Sequence, residues 1–145
     1  MLSLSELQEI LLEAKTVAVY GMSRHPYKAA YQVPACLAAA GFEIIPINPF
    51  AGEIMGYPCY RSLHEVPGRV DIVDIFRPSA EVLPVVEEAL ARRAQRGDVM
   101  LIWLQAGIRS EKARRLAADA DIPFVQNRCI AAELPLLLPE GIKRG

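Results

Sequence analysis

Two hydrophobic rhythms alternate along the chain. Leu4, Leu7, Ile10, Leu11 and Ala14 recur at helical spacing, and Ser3 or Ser5 is placed to cap that opening helix. A short apolar run, TVAVY at 16–20, ends at Gly21. Tyr31, Val33, Leu37 and Ala40 mark a second helical stretch, with Gly41 as its C-cap. FEIIPIN predicts the second strand. The turn-rich PFAGEIMGYPCYRSLHEVPG predicts a short extended piece and a single helical turn. VDIVDIF is the third strand, and its unbroken apolar character suits burial on both faces. SAEVLPVVEEALARRAQRG reads as a helix capped by Ser79 and stopped by Gly97, in which Pro84 costs a bend or a break after one turn. VMLIWLQ predicts the fourth strand. SEKARRLAADAD predicts a helix capped by Ser110, with Ala113, Leu116, Ala117 and Ala120 inward. IPFVQN is the fifth strand, and IAAELPLLL closes the domain.

Strands alternating with helices predict a parallel sheet joined by right-handed crossovers. The expected fold is therefore α/β: one doubly wound, Rossmann-like domain over residues 1–145, with residues 1–14 as a helix packed on it. A mostly parallel sheet of about five strands follows from the number of apolar runs. Ligands of such sheets sit beyond the carboxyl ends of the strands, at the switch in strand order. That rule selects Gly21 to Lys28, Asn48 to Phe50, Phe76 to Ser79, Gln105 to Arg109 and Asn127 to Cys129.

Composition narrows the function classes. The 145 residues are 52% hydrophobic and 23% charged, an ordinary soluble balance that excludes disorder. A net charge of -1 gives no electrostatic case for nucleic acid or an anionic membrane as partner. No apolar run reaches the ~18 residues needed to span a bilayer. MLSLSELQEILLEAK carries Glu6, Glu9 and Glu13 and no basic segment, so it does not read as a signal peptide. Cys36, Cys59 and Cys129 are scattered and odd in number, which suggests reduced thiols and a cytoplasmic setting. Without CxxC or HExxH, and with His25 far from His64, no metal site is expected.

Several loop residues are suited to binding chemistry. In GMSRHPYKAAY, a helix N-terminus, the Ser23 hydroxyl and the charges of Arg24 and Lys28 suit a phosphate or pyrophosphate; the other reading is a solvated turn. The dinucleotide fingerprint GxGxxG is missing, and Asn48-Pro49 stands where an adenine ribose usually finds Asp or Glu, which disfavours NAD. Asn48 can bond a ribose or base edge and Pro49 can pack on an adenine face, or the pair simply opens a turn. In QAGIRS, Gly107 permits close backbone approach, Gln105 is a neutral donor and acceptor, and Arg109 reaches a phosphate or solvent. Cys129 precedes the last helix beside Arg128, a setting for either a reactive thiolate or an ordinary buried cysteine. Asp71, Asp74 and Glu133 form no acid/base pair, the two aspartates are expected at or near strand ends, and Trp103 is expected in the core.

Taken together, VAVYGMSRHPYK, IIPINPFAGEIMGYPCYRSLHEV, VDIVDIFRP, IWLQAGI and VQNRCIAAEL resemble the small stand-alone CoA-binding proteins. Beyond them, they resemble the CoA-binding domain of the succinyl-CoA synthetase alpha subunit. The resemblance covers roughly residues 15 to 135. It implies coenzyme A or an acyl-CoA as cofactor, with Gly21, Met22, Ser23 and Lys28 around the pyrophosphate end. It places Asn48 and Pro49 beside the adenosine, and Phe76, Arg77 and Pro78 as another wall. Gln105, Gly107 and Asn127 would line the route of the pantetheine arm. Family members often carry a serine two residues after the basic residue, where this chain has Ala30. The domain bearing the synthetase's phosphorylated histidine is absent from this sequence, so the resemblance implies binding rather than ligase catalysis. Two alternatives stay open: a thiol-dependent enzyme or redox protein using Cys129 with CoA, and an NAD-responsive regulatory domain.

Overall fold

Backbone polar groups inside an apolar run need partners, and a parallel sheet covered on both faces supplies them without exposing the run. The computed structural model describes residues 2–142; the expected domain limits at 1 and 145 lie outside the described residues. In chain order the strands are β1 (Thr16–Tyr20), β2 (Glu43–Ile47), β3 (Glu53–Ile54), β4 (Tyr57–Pro58), β5 (Ile72–Ile75), β6 (Leu101–Leu104) and β7 (Phe124–Val125). β3 and β4 form a separate antiparallel hairpin, and the other five make one parallel sheet ordered β2-β1-β5-β6-β7. Helices α1 (Leu4–Glu13), α2 (Ala29–Ala39), α3 (Val82–Arg96), α4 (Glu111–Asp119) and α5 (Ile130–Leu137) flank it. Among the described residues, no helix is long and apolar enough to cross a membrane.

Side chains alternate between the two faces of each strand. Val17, Val19, Ile72, Leu101 and Trp103 join the core under α1, α2 and α5. Ala18, Val73, Ile75, Ile102 and Leu104 join the core under α3 and α4. Trp103 is fully buried, as its apolar neighbours predict. The expected caps at Ser3 and Ser110 accept hydrogen bonds from the Glu6 and Ala113 amides at 3.1 and 3.2 Å. Gly97 ends α3 with a φ of 74°.

Three expectations change. The stretch from Ser79 opens with a 3-10 turn, Ser79–Glu81, and α3 starts at Val82. Pro84 thus lies in the first turn of α3, where its missing N–H has no intrahelical acceptor to lose, and the interruption precedes it. Ser79 is not a helix cap; its hydroxyl instead accepts from the Arg109 amide at 3.0 Å. Asp71 immediately precedes β5 and Asp74 is its penultimate residue, near the strand ends as expected, with Asp74 fully buried. In α4, Ala113 and Ala117 are buried, whereas Ala120 is exposed because the helix has already ended at Asp119.

Polar clamps hold the amino ends of the strands. The Asp71 carboxylate accepts from the Lys15 and Thr16 amides at 2.8 and 3.2 Å and pairs with Arg69 at 2.6 Å. Burial opposes its charge, yet those bonds outweigh it and hold the carboxyl below its ordinary range. Asp98 accepts from the Val70 amide at 3.0 Å and from Arg92 at 2.9 Å. Arg92 also donates to the carbonyls of Leu63, Val66 and Gly68, fastening the segment before β5 to α3. Both partners of this ion pair are almost entirely buried. Arg92→Met strips Asp98 of its counter-charge and takes the side-chain donor from the Gly68 carbonyl. Urea denaturation should show a loss of about 3 kcal/mol or more.

Candidate functional site

The topology alone locates a crevice. From β1 the chain steps outward to β2, then returns across β1 to pair β5 on its other side. Connections after β1 and β5 therefore leave in opposite directions, and the space between them is where an α/β sheet takes its ligand. Residues 21–28 form one wall of this crevice and residues 76–79 the other.

Gly21 is where the walls meet. Its φ is 87°, a left-handed value that side-chain-bearing residues avoid, and its amide donates to the Ile47 carbonyl at 3.0 Å. A Cβ there would lie 3.1 Å from Arg77 Cδ. The Arg77 stem thus crosses the turn on ground only glycine leaves open. Its guanidinium reaches Glu81 at 2.9 Å, while Nε is buried with no partner.

The rest of the first loop is held by a defect in α2. Pro34 lies inside that helix and has no N–H for the Ala30 carbonyl one turn back. The Ser23 amide donates to that carbonyl instead, at 3.1 Å. The Ser23 hydroxyl accepts from the His25 amide at 3.0 Å, which turns the loop back on itself. Ala30 thereby anchors the loop through its backbone. Lys28 is the N-cap of α2 and supplies no side-chain cap; its carbonyl accepts from the Tyr31 and Gln32 amides at 3.0 Å, and the Ala29 and Ala30 amides have no partner among the described residues. Arg24, Lys28 and Arg109 are exposed and form no ion pair among the described residues.

Asn48 works as a staple. Its side-chain amide donates to the Met22 carbonyl at 2.9 Å, and its side-chain oxygen accepts from the Phe50 amide at 2.8 Å. The loops after β1 and β2 are thereby tied together, and Pro49 is carried exposed between them. Met22 itself is buried, so only its backbone belongs to the loop.

Gln105 is buried and donates to Asp74 at 2.5 Å. The other oxygen of Asp74 is buried without a partner, and burial pushes this carboxyl up to about 7, with the Gln105 bond only partly opposing the rise. Gly107, at φ 84°, donates to the side-chain oxygen of Asn127 at 2.7 Å, and Asn127 itself adopts φ 58°. The fourth and fifth loops are thus joined as the first two are. Trp103 donates its indole N–H to the Arg128 carbonyl at 2.7 Å, and the Arg128 guanidinium lies 5.7 Å from its ring. Arg128 also pairs with Glu133. Cys129 is the half-buried N-cap of α5 and forms no hydrogen bond with a histidine among the described residues.

The structure therefore brings Gly21 against Phe76 and Arg77, ties Asn48 to the backbone of Met22 and Phe50, and joins Gly107 to Asn127; Gln105, expected along the route of the pantetheine arm, is instead buried against Asp74. Sequence reasoning missed the Asp74–Gln105 pair, because nothing local marks a strand-interior aspartate as neutral. It also missed Pro34, although a proline one turn into a helical pattern was a readable sign. Two clefts of about 750 and 450 Å³, beside β7 and between α2 and α5, are lined by neither residues 21–28 nor 48–50.

Residues 15–135 match the family described as CoA binding domain. The uncharacterized protein YneT of Bacillus subtilis is 34% identical over 88% of this chain and 91% of its own length. An ADP-forming acetate–CoA ligase of Archaeoglobus fulgidus is 33% identical over 70% of this chain, and the match spans 15% of that ligase. A solved Thermus thermophilus structure, 36% identical, superposes with a TM-score of 0.86 over 94% of this chain and 99% of its own.

Two variants test the geometry. Gly21→Val places a branched side chain at positive φ against Arg77 and should lower stability in urea by at least about 1 kcal/mol. For Asp74, the folded state keeps a proton that the unfolded state releases near pH 4, so its contribution erodes stability between about pH 4 and 7 and is constant above. Asp74→Asn should therefore compare more favourably with the native chain at pH 8 than at pH 4. An equal difference at both pH values would show that the proton is not held.

Proposed function

The chain belongs to the CoA-binding domain family, and from that premise we propose that the carboxyl edge of its sheet binds coenzyme A or an acyl-CoA. The observation that carries this reading is the first loop. Gly21 to Lys28 is an anchored turn that opens onto the N-terminus of α2, with Arg24 and Lys28 free of ion pairs among the described residues. Open amides, a helix dipole and unpaired cations are what a pyrophosphate needs, and they stand in the switch-point crevice. Neutral loop residues further along the edge, Gly107 and Asn127, suit the uncharged pantetheine arm.

Binding, rather than turnover, is the function proposed. The match spans 15% of the Archaeoglobus fulgidus ligase, so that enzyme's reaction does not come with it. Soluble placement in the cytoplasm suits such a role.

Calorimetry with CoA, acetyl-CoA, NADH and ATP tests the reading. Saturable heat with CoA or acetyl-CoA is expected. Binding of NADH with no response to CoA would overturn it. Lys28→Ala should weaken CoA about fivefold or more through loss of a charge-assisted bond, and the difference should shrink at high salt.

A further inference from the structure

An open sheet has two outer strands, and the chain treats them differently. At β2 it covers its own edge: the Tyr60 amide donates to the Pro46 carbonyl at 3.0 Å, and the Asn48 amide donates to the Tyr60 carbonyl at 2.9 Å. At the other side β7 is the last strand, and no strand pairs with its outer edge among the described residues. The Ile102 amide donates to the Pro123 carbonyl, with Ile102 in register with Phe124 and Trp103 with Val125. Residues on either side of Phe124 therefore bond to β6, and the N–H and C=O of Phe124 point out of the sheet. Pro123 does not guard this edge, because the N–H it lacks belongs to the β6 side. The cleft of about 750 Å³ lies here, with Leu4 of α1 on one face and Arg114, Ala118 and Asp121 on the other. Leu4 is 63% exposed.

The charges of α4 run against its own dipole. Its first half carries exposed Lys112, Arg114 and Arg115 against the single Glu111, which pairs with Arg114. Exposed Asp119 and Asp121 stand at its carboxyl end, with no basic residue in the last turn. A helix favours the reverse, anions at its amino end and cations at its carboxyl end. The stability of α4 alone does not account for this pattern, whereas an antiparallel neighbour of the same sequence sets each basic half beside an acidic end.

We propose that this edge joins two copies of the chain, β7 pairing antiparallel with β7 of the second copy about a two-fold axis perpendicular to the sheet. Phe124 then faces its own counterpart, and the two exchange both N–H···O bonds. The same axis lays α4 antiparallel beside α4 and brings Arg114 of each copy towards Asp121 of the other, with only the small Ala118 side chain between them. Such a contact is self-complementary and closes at a dimer, so the exposed edge is used up and does not template further strands. β7 is short, so the strand pair fixes register while α4 and Leu4 supply the surrounding contact.

Analytical ultracentrifugation of the full chain should show a dimer at micromolar concentration, and the Phe124 amide should exchange with deuterium more slowly as concentration rises. Ala118→Arg, Arg114→Glu and Asp121→Lys alter exposed positions, and circular dichroism verifies that each variant folds. Each should weaken the dimer about tenfold or more, the first by crowding the axis and the others by facing like charges. Mixing Arg114→Glu chains with Asp121→Lys chains should restore a dimer, because only the mixed pair sets opposite charges together at both contacts. A native chain that stays monomeric from micromolar to millimolar concentration overturns the proposal and leaves the edge to a strand from another protein. A dimer that survives Ala118→Arg undiminished, one that leaves Phe124 exchange unchanged, or charge variants that fail to combine also overturns it.

Discussion

A parallel sheet cannot turn back on itself with a hairpin, so every strand must be followed by a crossover over one face. That constraint places all five carboxyl ends of the sheet on one edge and all five amino ends on the other. Because β1 lies between β2 and β5, the crossovers part at that point and leave a crevice between the first and third loops. The position of the candidate site follows from strand order before any side chain is considered. The side chains then decide what the crevice accepts.

Its walls are built with few charges and many backbone bonds. Gly21 lets the Arg77 stem pass, Pro34 releases a carbonyl that holds Ser23, and Asn48 and Asn127 each join two loops. In a fingerprint of three glycines, close approach of the backbone to phosphate comes from missing side chains. Here there is one glycine, and the remaining loop is shaped by neighbours that take up its hydrogen-bonding groups. Arg24 and Lys28 stay exposed on this loop, without an ion pair among the described residues.

Much of this was legible in the sequence. Short apolar runs and period-3.6 patterns located the sheet strands and helices, and caps such as Ser3, Ser110 and Gly97 fell where their chemistry predicts. Elements set by tertiary pairing were less legible. Pro84 read as a helix interruption because its place in the first turn depends on a 3-10 start that no local pattern marks. Ser79 looked like a cap, but a loop thirty residues away supplies its partner. Asp74 and Gln105 are unremarkable apart and meet only because β5 and β6 are neighbours. The candidate binding residues were found by position, at strand ends. The staples that hold them could not be found that way, since each spans two loops.

The two edges of the sheet divide the work. Asp71 and Asp98 secure the amino ends through buried or partly buried charge, whereas the carboxyl ends carry exposed loops that add little to the core. Drift in one set of residues is therefore largely uncoupled from drift in the other. A lineage can rewrite exposed residues such as Arg24, Tyr27 or Phe50 while inheriting the same scaffold. The same separation lets such a fold be carried as a cassette within much longer chains, its recognition edge diverging as the host protein requires.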